Sequence, residues 1–428
     1  MGLSEVNAEL VSSPTSKGYR WLICGLLFLV TVNNYMDRQL LSIVAPTITS
    51  EFHLTASDLA LIMNCFITAY GLGQLFSGRF MDWVGPRLGF TFSVLLWSLA
   101  SVCTSMARTV MGFGFFRFLL GASESGNFSG GVKVISQLFP LRERTMAVGF
   151  FASGVSVGAL ITPPAAAYLI VHYGWQFAFI FVGVPGFLWL VAWLSFYKPS
   201  LAFHKTIEST FSSTPDKSRR WSFLLRHRLV WGLILGRFIE EPAGWFLFSW
   251  LPLYLKTFPN LSLINIGFLL TIPFLLLDVG FLVGGWIASF MLKRGHSIDR
   301  VRRVTMAGSA ICMLSSIPAV MAPTPLGFVL CISFATFGHG CWSSNIMAMP
   351  GDMLPHTSVG TLYGLAACWG SFGSVLFMLV VGKLIDVQHS FITPFVIAGL
   401  LPMIGVIFTF ATSGTIQRLP SWATSEAS

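Results

Sequence analysis

The sequence predicts an all-α polytopic membrane protein with twelve transmembrane helices in two six-helix pseudo-repeats, and three observations carry that reading. Hydrophobic residues fill 54% of the 428 positions and charged ones only 10%, with a mean hydropathy of +0.74. Soluble domains run at about 25% charged, so this chain needs lipid as part of its solvent. Twelve apolar stretches recur along it, each near the roughly 20 residues that cross a bilayer. Basic residues gather in alternate connections between those stretches, the asymmetry that orients membrane helices.

The spans fall at 20–44, 57–79, 87–106, 110–136, 144–171 and 176–197, then at 229–256, 264–292, 303–322, 326–349, 360–383 and 390–412. If odd-numbered spans enter from the cytoplasm, nineteen Lys/Arg lie inside. They include Lys17, Arg20, Arg79, Arg87, Arg142, Arg144 and seven in the stretch 198–228. Only Arg108, Lys256 and Lys383 lie outside. Both termini are therefore expected in the cytoplasm. The chain divides into a tail (1–19), a six-helix bundle (20–197), a linker (198–228), a second bundle (229–412) and a C-terminal tail (413–428). The polar start, followed by an apolar run longer than a signal-peptide core, argues against a cleaved leader.

Several function classes are excluded by what the chain carries. The net charge of +9 sits in short blocks between apolar runs, which is not a nucleic-acid surface. The seven cysteines lie inside apolar stretches without disulfide or metal spacing, so they read as small packing residues. No GxxxxGK[ST] loop, HExxH or paired CxxC occurs, so no ATP site, metal or other cofactor is expected. The remaining class is a secondary transporter, a monomer in lipid.

Two segments hint at internal duplication. SGRFMDWVGPRLG (77–89) joins spans two and three, and GGWIASFMLKRGHSIDRVRR (284–303) joins spans eight and nine. Both run from small residues into a basic turn, as parallel six-span repeats do. The second copy lacks the acid that stands at Asp82 in the first.

Ionisable residues inside spans are the candidates for function, because each costs at least about 2.5–3.5 kcal/mol on insertion scales. The bland alternatives are snorkelling and ion pairs that only fix packing. Span four carries RFLLGASESGN, with Arg117, Gly121 and Glu124 on one face and the charges about 10 Å apart along the axis, too far for a tight local pair. Desolvation penalises a charged carboxyl, so Glu124 is a candidate proton carrier. Span one carries NNYMDRQ; Asp37 and Arg38 point about 100° apart. Arg38 is expected to face the central cavity, where its donor fork matches a carboxylate. Asp37 is expected to face span four as a second proton site. Span seven carries RFIEEPAGW, in which Arg237 is either a cavity ligand or simply neutralised by Glu241 one turn on. Glu240, Glu241 and Asp278 stay undecided between functional and structural roles. Lys133 reads as snorkelling, and His339 is buried without a sequence-evident partner. Tyr70, Trp245 and Trp369 are aromatic candidates for stacking on a sugar.

At the level of motifs, SGRFMDWVGPR resembles the loop signature of the major facilitator superfamily. NNYMDRQLLSIVAPTI, FRFLLGASESGNFSGGVKVISQLFP, RERTMAVGFFASGVSVGALITPP and RFIEEPAGWFLFSWLPLYL resemble its anion:cation symporter family, and are most similar to bacterial hexuronate transporters. The resemblance spans residues 20–415. It implies two six-helix bundles around a central cavity that rock in alternating access, and proton-coupled import of a sugar acid across a bacterial inner membrane. It implies proton-coupling roles for Asp37 and Glu124, with Arg117 as companion, and a carboxylate-ligand role for Arg38. It also implies substrate contact by Tyr70, and more loosely by Trp342, Asn345, Trp369 and Ser371 in the second half, beside Arg237, which stays a substrate candidate from its own place in span seven. Gly78, Asp82, Gly85 and Arg87 match the gating loop. Glu241, Gly244, Gln176 and Ala152 depart from the pattern, which bears on which sugar acid is carried. The leading expectation is a proton:hexuronate symporter taking glucuronate or galacturonate. Galactonate, glucarate or a dicarboxylate, and anion exchange or uniport, are the alternatives. A membrane-embedded enzyme would cluster its catalytic groups at one face, whereas these lie at depth on three spans.

Overall fold

A computed structural model describes residues 16–139, 141–198, 224–353 and 359–416. Among them the structure is helical without strands, and its helices group into twelve. In the first half these are α1 (Lys17–Glu51), α2 (Ala56–Val84), α3 (Pro86–Thr104), α4 (Val110–Glu124 continued by Gly126–Leu138), α5 (Leu141–Ala152 continued by Gly154–Tyr173) and α6 (Trp175–Phe196). The second half holds α7 (Arg228–Leu255), α8 (Leu263–Lys293), α9 (Ile298–Met313 with the turn Ser316–Ala319), α10 (Pro325–Met353), α11 (Val359–Gln388) and α12 (Ile392–Ser413).

Three of the expected spans are each interrupted into two helical segments, and a back-bonding serine stands at every break. Ser125 Oγ donates to the Ala122 carbonyl at 2.8 Å, Ser153 Oγ to Phe150 at 2.7 Å and Ser315 Oγ to Cys312 at 2.7 Å. A serine that back-bonds to the preceding turn competes with the helix ladder and bends it. The expected duplication appears in the turns. Gly85 between α2 and α3 and Gly295 between α8 and α9 both take positive φ, +82° and +81°, a conformation glycine enters without a Cβ clash.

Eight helices contain a window apolar and long enough to cross a membrane by length and composition. The four that do not are α1, α4, α7 and α9. They carry the Asn33–Gln39 run, the Ser125 break with Arg117 and Glu124, the Arg237–Glu241 cluster, and the Ser315 break with Arg300–Arg303. Large apolar side chains such as Leu188, Val191, Leu282 and Trp286 face outward, as a lipid-facing surface requires.

The halves touch through α2 with α11, α5 with α8, and α1 with α7. Their closest approach lies at the end opposite the described start of α1. There the Ala56 and Ser57 amides at the start of α2 donate to the two Asp386 oxygens near the end of α11, at 2.7 and 2.9 Å. Farther in, the Asn64 amide donates to Val375 carbonyl at 3.0 Å. Ser371 packs on Gly71, where even a Cβ would come within 2.5 Å of it.

Candidate functional site

The site begins with α1. Successive residues diverge by about 100°, and the structure sends Asp37 and Arg38 to different neighbours. Asp37 is buried; Ser101 of α3 donates a short hydrogen bond to its Oδ1, and Oδ2 has no protein partner. Arg117 of α4 donates to the Asp37 backbone carbonyl at 3.4 Å, so this arginine reads α1 through its main chain. Arg38 points to α4. Its Nε and a terminal nitrogen reach the same oxygen of Glu124, at 3.4 and 3.2 Å. The Glu124 side chain is fully buried, and its second oxygen has no protein partner.

Aromatic rings close the shell. The Arg38 guanidinium lies 4.3 Å from the Tyr70 ring centroid, 4.8 Å from Tyr35 and 5.5 Å from Phe66. Phe66 stacks on Tyr70 at 5.7 Å and meets Trp245 of the other half at 6.1 Å. A desolvated guanidinium is attracted to such ring faces, which holds Arg38 in place while leaving its donors for an acid. Gly121 is the hinge of this packing: a Cβ there would sit 2.4 Å from the Phe66 carbonyl, so α2 and α4 come this close only because the side chain is missing.

A second cluster occupies α7. Arg237 donates to one oxygen of Glu241 through Nε at 2.9 Å and a terminal nitrogen at 2.8 Å, one turn apart on the same helix. Its guanidinium also lies 5.1 Å from the ring of Tyr363 on α11. Of the two readings open from sequence, neutralisation by Glu241 is the one the geometry displays. Glu240 turns the other way, and its Oε1 stands 2.7 Å from Nδ1 of His339 on α10. The His339 ring fills the notch at Gly244, where a Cβ would come within 2.4 Å of it. Asp278 of α8 faces Ser156 of α5, across the halves, and keeps one oxygen without a protein partner.

The structure therefore brings Asp37, Arg38, Tyr70, Arg117 and Glu124 together, and sets Arg237 beside Tyr363. Others of the expected residues stand apart. Asn345 is buried; its oxygen accepts from Arg302 at 2.7 Å and Thr305 at 3.0 Å, and its amide donates to the Cys341 carbonyl at 2.9 Å. Arg302 in turn pairs with Asp352 at 2.9 Å, so Asn345 belongs to a clamp between α9 and α10. Trp342 is fully buried against Gly405, and Ser371 is spent on the α2–α11 contact. Trp369 packs by its ring with Trp231, Phe238 and Phe372. In the loop signature, Gly85 makes the turn, and Arg87 donates to the Leu194 carbonyl at 2.9 Å, tying α3 to the end of α6. The side chains of Gly78 and Asp82 lie outside the described residues. Lys133 donates to the Met81 carbonyl at 3.0 Å, near the last turn of α2, where a cation is favourable.

Sequence reading did not find three partners: Glu124 for Arg38, His339 for Glu240, and Tyr363 for Arg237. For the first two, an acid and a base at depth on separate spans was the available signal. Tyr363 gave none beyond a hydroxyl in an apolar run.

Comparison with known proteins places this geometry in context. Residues 27–376 match the family model described as Major Facilitator Superfamily. The chain is 29% identical over 413 residues to the hexuronate transporter of Escherichia coli (strain K12), covering 94% of this chain and 93% of that protein. It is 30% identical over 398 residues to the probable L-galactonate transporter of the same organism, covering 89% and 86%. Among solved structures, a bacterial homolog of the human lysosomal transporter Spinster, inward-facing and unoccupied, superposes with a TM-score of 0.78 at 17% identity, over 94% of this chain and 98% of that one.

Proposed function

The chain belongs to the Major Facilitator Superfamily, a transporter and not an enzyme, and we propose that it is a proton-coupled symporter that imports a sugar acid, foremost a hexuronate such as glucuronate or galacturonate. The observation that carries this reading is the Arg38–Glu124 pair: a buried guanidinium held at 3.2 Å by a buried carboxylate on a different helix. When Glu124 takes a proton, its attraction for Arg38 falls away and the donor fork turns to the carboxylate of the substrate. Substrate anion and proton then cross together as a neutral load. Asp37 lies one residue from Arg38 and provides a second place for a proton, while Arg117 holds the α1 backbone between them. Tyr70 and Tyr35 frame the guanidinium and offer hydroxyls to the sugar.

Alternating access follows from the interface between the bundles 20–197 and 229–412. In the described conformation Asp386 of α11 accepts from the first amides of α2 and Ser371 packs on Gly71 midway along α2, contacts that support a closed interface at the Asp386 end. The distribution of Lys and Arg supports termini on the cytoplasmic side of a bacterial inner membrane, and on that reading the end joined by Asp386 is the outer one. Labelled hexuronate uptake into proteoliposomes, with and without an inward proton gradient, tests the proposal. Accumulation that depends on the gradient is the expected result, and gradient-independent equilibration overturns the coupling.

A further inference from the structure

The two buried arginines, Arg38 and Arg237, are neutralised in different ways, and the difference points to substrate class. Arg38 and Glu124 sit on α1 and α4, so their pair spans two helices and opens when either helix moves or Glu124 is protonated. Arg237 and Glu241 sit one turn apart on α7. They move as one body, and no rearrangement between helices separates them. The contact is also tighter, 2.8 and 2.9 Å against 3.2 and 3.4 Å. Glu241 keeps a quarter of its side chain exposed, so it stands at the edge of this packing and not sealed within it. Gly370 of α11 crowds the same oxygen; a Cβ there would lie 3.0 Å from it. The neighbouring acid, Glu240, is already engaged by His339.

We propose that Glu241 makes this carrier selective for sugar acids with one carboxylate and rejects those with two. The inference rests on the sugar-acid reading above. One carboxylate finds the Arg38 fork once Glu124 is protonated. In this reading the other end of the six-carbon chain meets Arg237, Tyr363 and Glu241, which together carry no net charge and can both donate to and accept from hydroxyls. A hydroxyl or hemiacetal end suits that group. A second carboxylate meets the Glu241 carboxylate instead, which already holds the Nε and one terminal nitrogen of Arg237, so like charge opposes it where a hydroxyl would be accepted.

The test is competition. Proteoliposomes take up labelled galacturonate by counterflow, while unlabelled galacturonate (one carboxylate) or galactarate (two) is titrated outside. In the wild type, galactarate should compete at least tenfold more weakly than galacturonate. Glu241→Gln removes the charge at nearly constant shape and frees Arg237, so the ratio should fall at least tenfold. Should this variant not turn over, the same ratio is read from ligand-induced shifts of thermal unfolding in detergent, which need binding alone. Equal competition in the wild type, or an unchanged ratio in Glu241→Gln, overturns the inference while leaving sugar-acid transport standing. Failure of the wild type to take up or bind any sugar acid overturns the functional reading itself.

Discussion

Replacing Glu124 with Gln fixes the site as if it were always protonated. The amide keeps an oxygen for the Arg38 contact now made at 3.2 Å but carries no charge. At this separation the attraction between the unit charges is about 5 kcal/mol for an effective dielectric of about 20, so a substrate carboxylate does not displace a charged Glu124 cheaply. On the proposed mechanism, protonation in the wild type removes that obstacle, and release of the proton on the other side restores it, which would link the substrate to the gradient. One pH unit is worth about 1.4 kcal/mol per proton, hence about tenfold accumulation of a monoanion carried with one proton at clamped zero potential. Glu124→Gln should still exchange labelled for unlabelled hexuronate across proteoliposomes, because the Arg38 fork is permanently available. It should hold the internal to external ratio near one under that same gradient. If Glu124→Gln accumulates substrate as the wild type does, Glu124 is not the coupling group. Asp37, buried with a free oxygen one residue from Arg38, then inherits the role.

Arg38→Ala should abolish uptake and ligand-induced thermal shifts alike, and Arg38→Lys should rescue poorly, since an ammonium offers no planar fork between the rings of Tyr35 and Tyr70; wild-type affinity in Arg38→Ala refutes its assignment. Glucose and galactose, which bring no anion to Arg38, should fail to compete with hexuronate uptake at a hundredfold excess, and strong competition would indicate a neutral-sugar carrier. Gly121→Val should lower the unfolding temperature, at a cost of at least about 1–3 kcal/mol for overpacking, because its first carbon already meets the Phe66 carbonyl at 2.4 Å; an unchanged unfolding curve would refute the close α2–α4 approach. Asp386→Ala removes the acceptor that caps α2, worth about 1 kcal/mol, and should shift the two-state balance about fivefold toward an open α2–α11 end. Spin-label distances between those helix ends measure the shift, and an unaltered distribution refutes the latch.

The span count was legible because burial in lipid demands runs of apolar residues, and the α1–α12 starts mostly fall within a few residues of those runs. Helix ends were less legible: α1 runs from Lys17 to Glu51 rather than 20–44, since the polar last turns carry no hydropathy signal yet keep their ladder. The breaks at Ser125, Ser153 and Ser315 were hidden because a serine in an apolar helix is as compatible with an unbroken turn as with an interruption. Within the site, Arg38, Glu124 and Asp37 stood out by the cost of placing charge at depth. Their pairing did not, because it depends on how α1 and α4 rotate against each other. Arg237–Glu241 was open to local reading, the two being one turn apart on a single helix. Asn345 illustrates the opposite limit: polarity in an apolar run marked it, but only the packing of α9 on α10 reveals that Arg302 and Thr305 consume its oxygen.

The two halves share an ancestry of pattern yet divide the work. Each presents one arginine against a tyrosine ring, Arg38 with Tyr70 and Arg237 with Tyr363, and each opposes it with a glutamate. In the first half the opposing acid is on another helix, so the pair is sensitive both to protonation and to helix movement. In the second it is on the same helix, so the pair is indifferent to movement. A carrier needs one contact that changes between its states and one that does not. On the two proposals above, the changing contact would couple the proton to the anion, and the constant one would set what the rest of the ligand has to be. If both pairs were local, a proton on Glu124 would report nothing about the position of the helices. If both spanned helices, an anion could open either, and a ligand with two carboxylates would be drawn in as readily as one with a single acid. The asymmetry between 3.2 Å across α1 and α4 and 2.8 Å within α7 is therefore where the proposed coupling and the proposed selectivity would separate, and Glu124→Gln and Glu241→Gln test them one at a time.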